Sequence, residues 1–230
     1  MKPTISIVIP VLNEASGLTS FLRHLREQAP EAQIIVADGG STDETTKLAA
    51  ELADLTVTSP RGRALQMNAG VAGADGDILW FLHADIRIPK DGVAEIQRLL
   101  ADPAVVGGFF RIRLPNSRFV YRLTDSVAHL LGLLLRMRCG DHGIFCRRTV
   151  FEKIGGFPDV PLMEDTEFFR HLYAHGRVRW SKSRIIVSPR RYEAIGPFRL
   201  TFFYGLIGAL YAIGVPLPRL AAMYSRFCER

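Results

Sequence analysis

Apolar runs that end in an aspartate constrain the fold of this chain more than any other feature of its sequence. Residues 33–38 and 80–85 each have the pattern of a buried strand, and their last side chains are Asp38 and Asp85. Parallel strands end at the same edge of a sheet, and open α/β sheets bind their ligands at that edge. The sequence therefore predicts an α/β fold with both carboxylates in one crevice.

The first half of the chain alternates strand and helix patterns, as a βαβ series does. Residues 5–9 predict a strand, and apolar residues from Leu18 to Leu25 recur at helical spacing behind it. Residues 41–44, Ser-Thr-Asp-Glu, have the pattern of a capping box that begins the second helix. We therefore expect a mostly parallel central sheet with helices on both faces, joined by right-handed crossovers.

Less regular patterns follow in the second half. Residues 105–113 predict one half-exposed strand, and residues 119–137 have a helical pattern with arginines at both ends. Cys139, Cys146 and Cys228 lack the spacing of metal ligands. An odd number of cysteines, with no secretory segment before the first strand, predicts reduced thiols and a cytoplasmic location.

Charge is unevenly placed along the chain, whose net charge is +6. Acidic side chains outnumber basic ones in residues 1–110, whereas basic ones predominate in residues 111–230. A basic half predicts an anionic partner, such as a diphosphate or anionic lipid headgroups. Nucleic acid is not expected as a partner, because the basic half contains no recognisable recognition module.

A C-terminal apolar segment has no charged side chain from residue 200 to residue 218 and is flanked by Arg199 and Arg219. Its glycines and prolines leave an uninterrupted helix only over residues 200–215, short of the roughly 20 residues that a bilayer crossing needs. An amphipathic piece follows over residues 220–227. We rank docking on an anionic membrane surface first, packing in a homodimer or core second, and a true span last.

The turns after the first two strands carry the residues of a nucleotide slot. Asp38 precedes two glycines beginning with Gly39, and a flat ring can lie on this bare backbone while the carboxylate accepts a hydrogen bond from a base. Pro10, Asn13 and Glu14 follow the first strand and would form the opposite wall. The alternatives are an Asp38 that only satisfies turn amides and an Asn13 that caps a helix.

Two pairs of arginines are candidates for binding a diphosphate. Arg61 and Arg63 flank a glycine in a turn before a helix, where guanidinium groups and backbone amides can converge on phosphate. Arg190 and Arg191 follow a Ser-Pro turn and could neutralise a departing diphosphate. A solvated charged surface is the alternative for both pairs.

Three further carboxylates are candidates for the chemistry. Asp85 suits Mg²⁺ or Mn²⁺, which take one or two carboxylates when substrate phosphates supply the other ligands. His83, placed by strand alternation on the same side, would be a further ligand or a ribose contact. Glu164 and Asp165 open a helix, where a carboxylate could take a proton from a sugar hydroxyl. Loop capping explains Asp85 equally well, and the helix dipole explains the pair.

As an ordered series, these motifs resemble those of family 2 glycosyltransferases with the GT-A fold. The series consists of residues 8–14, 37–43, 83–85, 155–157 and 164–165. A finer resemblance, to the subfamily associated with arsenosugar biosynthesis, is carried by residues 61–68, 81–85, 140–145, 162–165 and 188–192.

The family resemblance implies a GT-A domain over residues 1–195 and an apolar helical appendage over residues 196–230. It implies that Asp38 reads the base, that Asp85 holds Mn²⁺ or Mg²⁺ on the diphosphate, and that Asp165 is the general base, with Glu164 in orientation or acceptor contact. The remaining implied positions are Asn68 and Ala84 in the donor site, and Gly140, Asp141 and His142 in a loop for the acceptor or the sugar. His83 stands where the family has the first aspartate of Asp-x-Asp, which points to a changed ribose or metal contact.

The leading interpretation is an inverting glycosyltransferase that moves one sugar from a nucleotide-diphosphate sugar to a hydroxyl of an unidentified acceptor. A sugar nucleotidyltransferase is an alternative, but residues 10–14 lack the glycine of its phosphate loop. A non-catalytic nucleotide-sugar-binding protein that docks on membranes is a second alternative, and the presence of Asp85 and Asp165 weighs against it. We expect a location in the cytoplasm, with peripheral binding to the inner face of the plasma membrane.

Overall fold

The computed structural model of the protein describes residues 2–115, 132 and 137–228. The helix predicted over residues 119–137 therefore lies almost entirely outside the described residues.

Strands and helices alternate through the first half of the chain, as predicted. The strands are β1 (Ile5–Val11), β2 (Gln33–Asp38), β3 (Leu55–Thr58), β4 (Ile78–Phe81), β5 (Ile86–Arg87), β6 (Val105–Arg113), β7 (Phe145–Arg147) and β8 (Arg177–Val187). The helices are α1 (Ala15–Gln28), α2 (Thr45–Leu52), α3 (Arg63–Ala72), α4 (Gly92–Leu99), α5 (Arg148–Ile154), α6 (Glu164–His175), α7 (Arg190–Ile195), α8 (Pro197–Ala212) and α9 (Leu217–Cys228), and Gly140–His142 forms one 3₁₀ turn.

The strands of the described chain form one mixed sheet in the order β3-β2-β1-β4-β7-β6-β8-β5. The first four are parallel neighbours, and β6 and β8 are also parallel, whereas β7 and β5 pair antiparallel with their neighbours. Val11 lies opposite Asp38, and Asp38 lies opposite Thr58. The carboxyl ends of β1, β2 and β3 therefore meet at one edge, where the sequence places its candidate site.

The sheet is covered by apolar side chains on both faces. One face packs with α1 and α4 around Ile7, Ile34 and Trp80, and the other packs with α3, α5 and α6 around Val8 and Phe81. Because both faces are buried, the strands have continuous apolar sequences instead of alternating ones.

Two local predictions are wrong. β4 ends at Phe81, so residues 80–85 are not one strand, and Asp85 lies in the turn before β5. The capping box does not form either, because the Ser41 hydroxyl donates to Asp38 and helix α2 begins only at Thr45. The Asp43 carboxylate instead accepts hydrogen bonds from the amides of Thr45 (3.0 Å) and Ala15 (3.2 Å).

The C-terminal segment folds as two helices, α8 and α9, separated at Gly214 and Pro216. Phe203, Ile207 and Leu220 are the buried centre of the contact between them. Within the described part of the chain, no helix combines the length and the apolar character that crossing a membrane requires.

Candidate active site

The turn after β2 holds Asp38 in a fixed position. The side chain is 3% exposed. Its carboxylate accepts hydrogen bonds from the amides of Gly40 (3.1 Å) and Ser41 (3.0 Å), and from the Ser41 hydroxyl. The alternative foreseen for Asp38, that it satisfies turn amides, is therefore present in the structure. A carboxylate oxygen can accept more than one hydrogen bond, so a contact with a base stays a prediction.

Asn13 joins the turns after β1 and β2 into one wall. Its side-chain oxygen accepts a hydrogen bond from the backbone amide of Thr42 (2.8 Å). The backbone amide of Asn13 donates to the Ser41 hydroxyl (2.9 Å). Asn13 adopts a left-handed backbone conformation (φ 55°), which few residues other than glycine tolerate. Helix α1 has no side-chain cap, so the alternative of Asn13 as its N-cap is wrong.

Gln66 of α3 forms hydrogen bonds to the backbone before both turns. The sequence pattern did not indicate this role. Its buried amide donates to the carbonyl oxygens of Val11 (2.7 Å) and Ala37 (2.8 Å). A Cβ atom at Gly39 would lie 2.9 Å from this side chain. Glycine at position 39 therefore allows the close approach of the turn to the helix.

His83, Asp85 and Asp141 form the group that we call the His-Asp cluster. Each offers a ligand atom within 4.8 Å of those of the other two. Asp141 was assigned from sequence to a loop for the acceptor or the sugar, and the structure places its Oδ1 2.8 Å from Nδ1 of His83. A Cβ at Gly140 would lie 2.3 Å from Nε2 of the same ring, so glycine lets the 3₁₀ turn reach His83.

The charge state of Asp141 suits metal binding. Burial alone would raise its pKa, but the hydrogen bond and charge of His83 and the charge of Arg63 hold the pKa of Asp141 well below its usual range. An ionised carboxylate, the exposed Asp85 and an imidazole nitrogen are together a suitable ligand set for a divalent cation such as Mn²⁺. The structure thus places two further candidate ligands, His83 and Asp141, close to the metal position predicted at Asp85.

Glu164 and Asp165 are buried in the first turn of α6, with 6% and 7% exposure. Oδ2 of Asp165 accepts a hydrogen bond from the amide of Gly140, which ties this carboxylate to the turn that carries Asp141. Burial and then the neighbouring charge of Glu164 raise the pKa of Asp165 to about 7. Met163, just before the helix, has a left-handed backbone (φ 67°), a conformation that is costly for a side chain of this type and concentrates at functional sites.

The four candidate arginines lie at the starts of α3 and α7. The Arg63 side chain reaches solvent, but protein atoms also surround it. This partial burial alone would lower the pKa of Arg63. The charges of Glu164, Asp165 and Asp141 nevertheless raise the pKa of Arg63, so Arg63 lies within electrostatic range of these carboxylates. Arg61 is exposed on the preceding turn.

Glu14 and Arg190 lie near enough in the crevice for their charges to interact. Burial and the charge of Asp85 raise the pKa of Glu14, while the charge of Arg190 opposes them. Pro10 and Ala84 are half-buried beside them, at the end of β1 and in the turn before Asp85. The two turns thus bring the predicted donor residues to the His-Asp cluster.

Asn68 and His142 make structural contacts within the chain, and their predicted contacts with ligands stay predictions. The amide of Asn68 donates to the Phe157 carbonyl (2.8 Å) and accepts from the Phe157 amide (2.9 Å), which fastens the turn before α6 onto α3. A Cβ at Gly156 would lie 2.7 Å from Oδ1 of Asn68. His142 is buried, with Nδ1 3.2 Å from the Cys139 carbonyl oxygen.

This fold, with a crevice of carboxylates and arginines at the strand ends, is that of a GT-A-like protein. Mannosyltransferase PcManGT of Pyrobaculum calidifontis, solved with GDP-Man and Mn²⁺, superposes with a TM-score of 0.72 at 23% identity, over 97% of this chain and 70% of that one. Glucosyl-3-phosphoglycerate synthase of Mycobacterium tuberculosis, solved with Mn²⁺, UDP-Glc and phosphoglyceric acid, superposes with a TM-score of 0.62 at 20% identity, over 93% of this chain and 81% of that one.

The chain belongs to glycosyl transferase family 2, whose model matches residues 6–155. Glycosyltransferase AglE of Haloferax volcanii is 27% identical over 223 residues, which are 90% of this chain and 66% of that protein. A PGL/p-HBAD biosynthesis glycosyltransferase of Mycobacterium tuberculosis is 30% identical over 167 residues, which are 67% of this chain and 63% of that protein. The chain thus spans about two thirds of the length of these curated relatives.

Proposed function

We propose that the protein transfers a single sugar from a nucleotide-diphosphate sugar to an acceptor hydroxyl, with inversion at the anomeric carbon. The observation that carries this proposal is the pairing of Asp165, whose pKa is raised to about 7, with the His-Asp cluster through the 3₁₀ turn Gly140–His142. A general base with a pKa near the working pH is efficient, because it is ionised and still basic enough to take a proton.

The reaction follows from this arrangement. Asp165 accepts the proton of the acceptor hydroxyl while the oxygen forms a bond to the anomeric carbon. The bond between that carbon and the diphosphate oxygen breaks, and its electron pair leaves with the diphosphate. Arg63 and Arg190 stabilise the negative charge that develops. Inversion follows because attack and departure occur on opposite faces of the sugar.

The nucleotide would occupy the slot between the turns after β1 and β2. Asn13 and the Asp38 turn form its wall, with Pro10 and Glu14 on the side of β1. GDP-Man, UDP-GlcNAc and UDP-Glc are the nucleotide sugars bound in similar solved structures, so we infer that the base is guanine or uracil. The finer resemblance to the arsenosugar-associated subfamily stays a prediction and adds no substrate.

Asp85, with His83 and Asp141, would hold a divalent cation, Mn²⁺ or Mg²⁺. When bound, such an ion neutralises the diphosphate and makes it a better leaving group. Two solved proteins of similar fold contain Mn²⁺, which supports this inference.

The proposal is tested by screening GDP- and UDP-sugars for metal-dependent thermal stabilisation, since a ligand of the folded state raises its stability by mass action. The stabilising nucleotide sugar is then incubated with simple glycoside acceptors, and the anomeric configuration of the product is read by NMR. Binding without hydrolysis or transfer would favour the alternative of a non-catalytic nucleotide-sugar-binding protein. A product that retains the donor configuration would contradict inversion.

The rate of transfer is expected to fall below about pH 7, because Asp165 must be ionised to act as a base and its pKa is about 7. Below this pH the rate constant should drop about tenfold per unit, and a bound cation moves the inflection to lower pH. The measurement is kcat against pH with saturating substrates. In Glu164→Gln the inflection should also move to lower pH, because a like charge beside Asp165 is removed. A flat profile between pH 5 and 8 would contradict this role.

We also propose that the C-terminal helices dock on an anionic membrane surface. Phe198, Phe202, Leu206 and Ile213 recur along one side of α8 and are 74%, 74%, 37% and 78% exposed. We call these four residues the apolar stripe. The exposed Arg199, Arg219 and Arg226 lie on the same two helices, and their charge matches anionic lipid headgroups. Docking of this kind would bring the site beside an acceptor presented at the inner face of the membrane.

Flotation with anionic liposomes is expected at low salt and reduced at high salt, since each basic contact contributes about 1 kcal/mol and is screened. Phe198→Ser with Phe202→Ser should abolish flotation under both conditions, while Lys47→Ser on α2 serves as a control for the loss of one surface charge. A protein that does not float, and forms a stable dimer by light scattering, would assign the apolar stripe to a subunit interface.

A further inference from the structure

Arg191 is held by two tyrosines from the C-terminal helices. Its Nη1 donates hydrogen bonds to the hydroxyl oxygens of Tyr224 on α9 (2.8 Å) and Tyr204 on α8 (3.2 Å). Both hydrogens of this nitrogen are thereby used, and the Nη2 and Nε hydrogens remain for another partner. These contacts cross the boundary after residue 195 that the sequence predicts between the catalytic domain and the appendage.

The position of this group relative to the crevice follows from the sheet, because Val187 at the end of β8 pairs with Ile86, the residue after Asp85. Burial alone would lower the pKa of Arg191, but the hydrogen bond to Tyr204 and the charge of Asp141 raise it. Arg63 is likewise influenced by Asp141 and by Tyr224. Arg191, four residues after Val187, therefore lies close to the His-Asp cluster, and Tyr224 contacts it there.

The tyrosines are themselves fixed by packing. Phe203 stacks on Phe227 with ring centroids 3.9 Å apart, and this contact joins α8 to α9. Tyr211 of α8 donates to Glu167 of α6 and accepts a hydrogen bond from Arg170 (2.9 Å). The helix pair is thus anchored to the helix that begins with Glu164 and Asp165.

A guanidinium group that is oriented in advance binds phosphate better than a free one. An arginine side chain has many rotamers, and restricting them on binding costs affinity. Two phenol oxygens that occupy Nη1 direct the remaining planar edge of Arg191, and planar edges of this kind bind phosphate with two parallel hydrogen bonds.

We propose that Tyr204 and Tyr224 are positioning residues that hold Arg191 against the diphosphate of the nucleotide sugar, so that α8 and α9 form a working part of the nucleotide site. This inference rests on the proposed function, since it assumes that the crevice binds a nucleoside diphosphate.

The test compares nucleoside diphosphates with nucleosides. The affinities of GDP, UDP, guanosine and uridine are measured by calorimetry with Mn²⁺ present, for the full chain and for Tyr204→Phe and Tyr224→Phe. Each substitution should weaken diphosphate binding about three- to tenfold, the usual effect of one lost hydrogen bond, and leave nucleoside binding unchanged. Tyr173→Phe is the matched control, because it removes a tyrosine hydroxyl from the end of α6, where the ring packs on Phe169 and not on Arg191.

A second comparison ties the effect to the arginine. In an Arg191→Ala background, Tyr224→Phe should have no further effect on diphosphate affinity. Equal losses for nucleosides and diphosphates, an undiminished loss in the Arg191→Ala background, or a similar loss in Tyr173→Phe would overturn the inference. Wild-type binding with no change in either tyrosine variant would overturn it and leave the proposed function intact. A wild-type protein that binds no nucleoside diphosphate would overturn both.

Discussion

Asp165→Asn is expected to lower the rate of sugar transfer by about 10²–10⁴-fold, the range for loss of a general base, with little change in the affinity for the nucleotide sugar. The amide cannot accept a proton from the acceptor hydroxyl. The nucleotide slot is built by the turns after β1 and β2, which this substitution does not touch. The measurements are the rate constant with saturating substrates and the dissociation constant of the nucleotide sugar.

The hydrogen bonds of Asp165 show that the asparagine variant needs a control for stability. Both oxygens of Asp165 accept backbone hydrogen bonds, one from Gly140 and one from Thr166 (2.7 Å), so asparagine must lose one of them. Thermal unfolding therefore accompanies the kinetics, to separate a displaced 3₁₀ turn from a missing base. Glu164→Gln, next to Asp165 and equally buried, should reduce the rate less. If Glu164→Gln is the more severe variant, the base is Glu164.

Sequence patterns predicted the parts of this fold that depend on neighbours along the chain. The order of β1, β2, β3 and β4 with their helices follows from apolar runs and helical spacing, and these elements are present. The short strands β5 and β7 were not predicted, because two or three residues carry no periodicity and pair only after distant segments meet. Their antiparallel pairing is what makes the sheet mixed.

In the candidate site, too, local features could be predicted from sequence and long-range contacts could not. Asp38 and its glycines could be placed from one strand and one turn. His83 and Asp85 are close together, although the reason first given was wrong, since neither belongs to a strand. Asp141 contacts His83 across 58 residues of sequence, a pairing that depends on the turn being tied to Asp165 and that no local spacing indicates.

Asn68 shows that a motif does not say what a side chain contacts in the folded chain, and its predicted donor contact stays a prediction. Asn68 is 89 residues from Phe157 in sequence. Its side-chain amide nevertheless bonds to Phe157 and fixes the segment before α6. Residues that support an active site recur in motifs as regularly as those that touch the substrate. The two roles are support of the site and contact with the substrate. For Asn68, the hydrogen-bond partners in the folded chain show the first of them.

Asp85→Ala is expected to abolish the metal dependence of nucleotide-sugar binding and to weaken that binding to the level seen in wild type without metal. Without Asp85 the cation that would neutralise the diphosphate is lost, whereas Glu14 and Asp141 remain in the crevice and repel the phosphates. Asp141→Asn should weaken metal binding by a smaller factor, because it removes one charge from the His-Asp cluster but keeps a carbonyl ligand.

Mn²⁺ binding to the protein alone, followed by electron paramagnetic resonance, checks the metal assignment independently of catalysis. Wild type should bind Mn²⁺ with a nitrogen coupling from His83, which His83→Asn removes, and Asp85→Ala should lose most of the bound ion. Glu31→Gln is the matched control, because this exposed carboxylate lies just before β2, at the opposite edge of the sheet. Unchanged Mn²⁺ affinity and metal-dependent nucleotide binding in Asp85→Ala would place the ion elsewhere. In that case the His83–Asp141 hydrogen bond would be a structural pair that shapes the crevice, and other groups would hold the cation on the diphosphate.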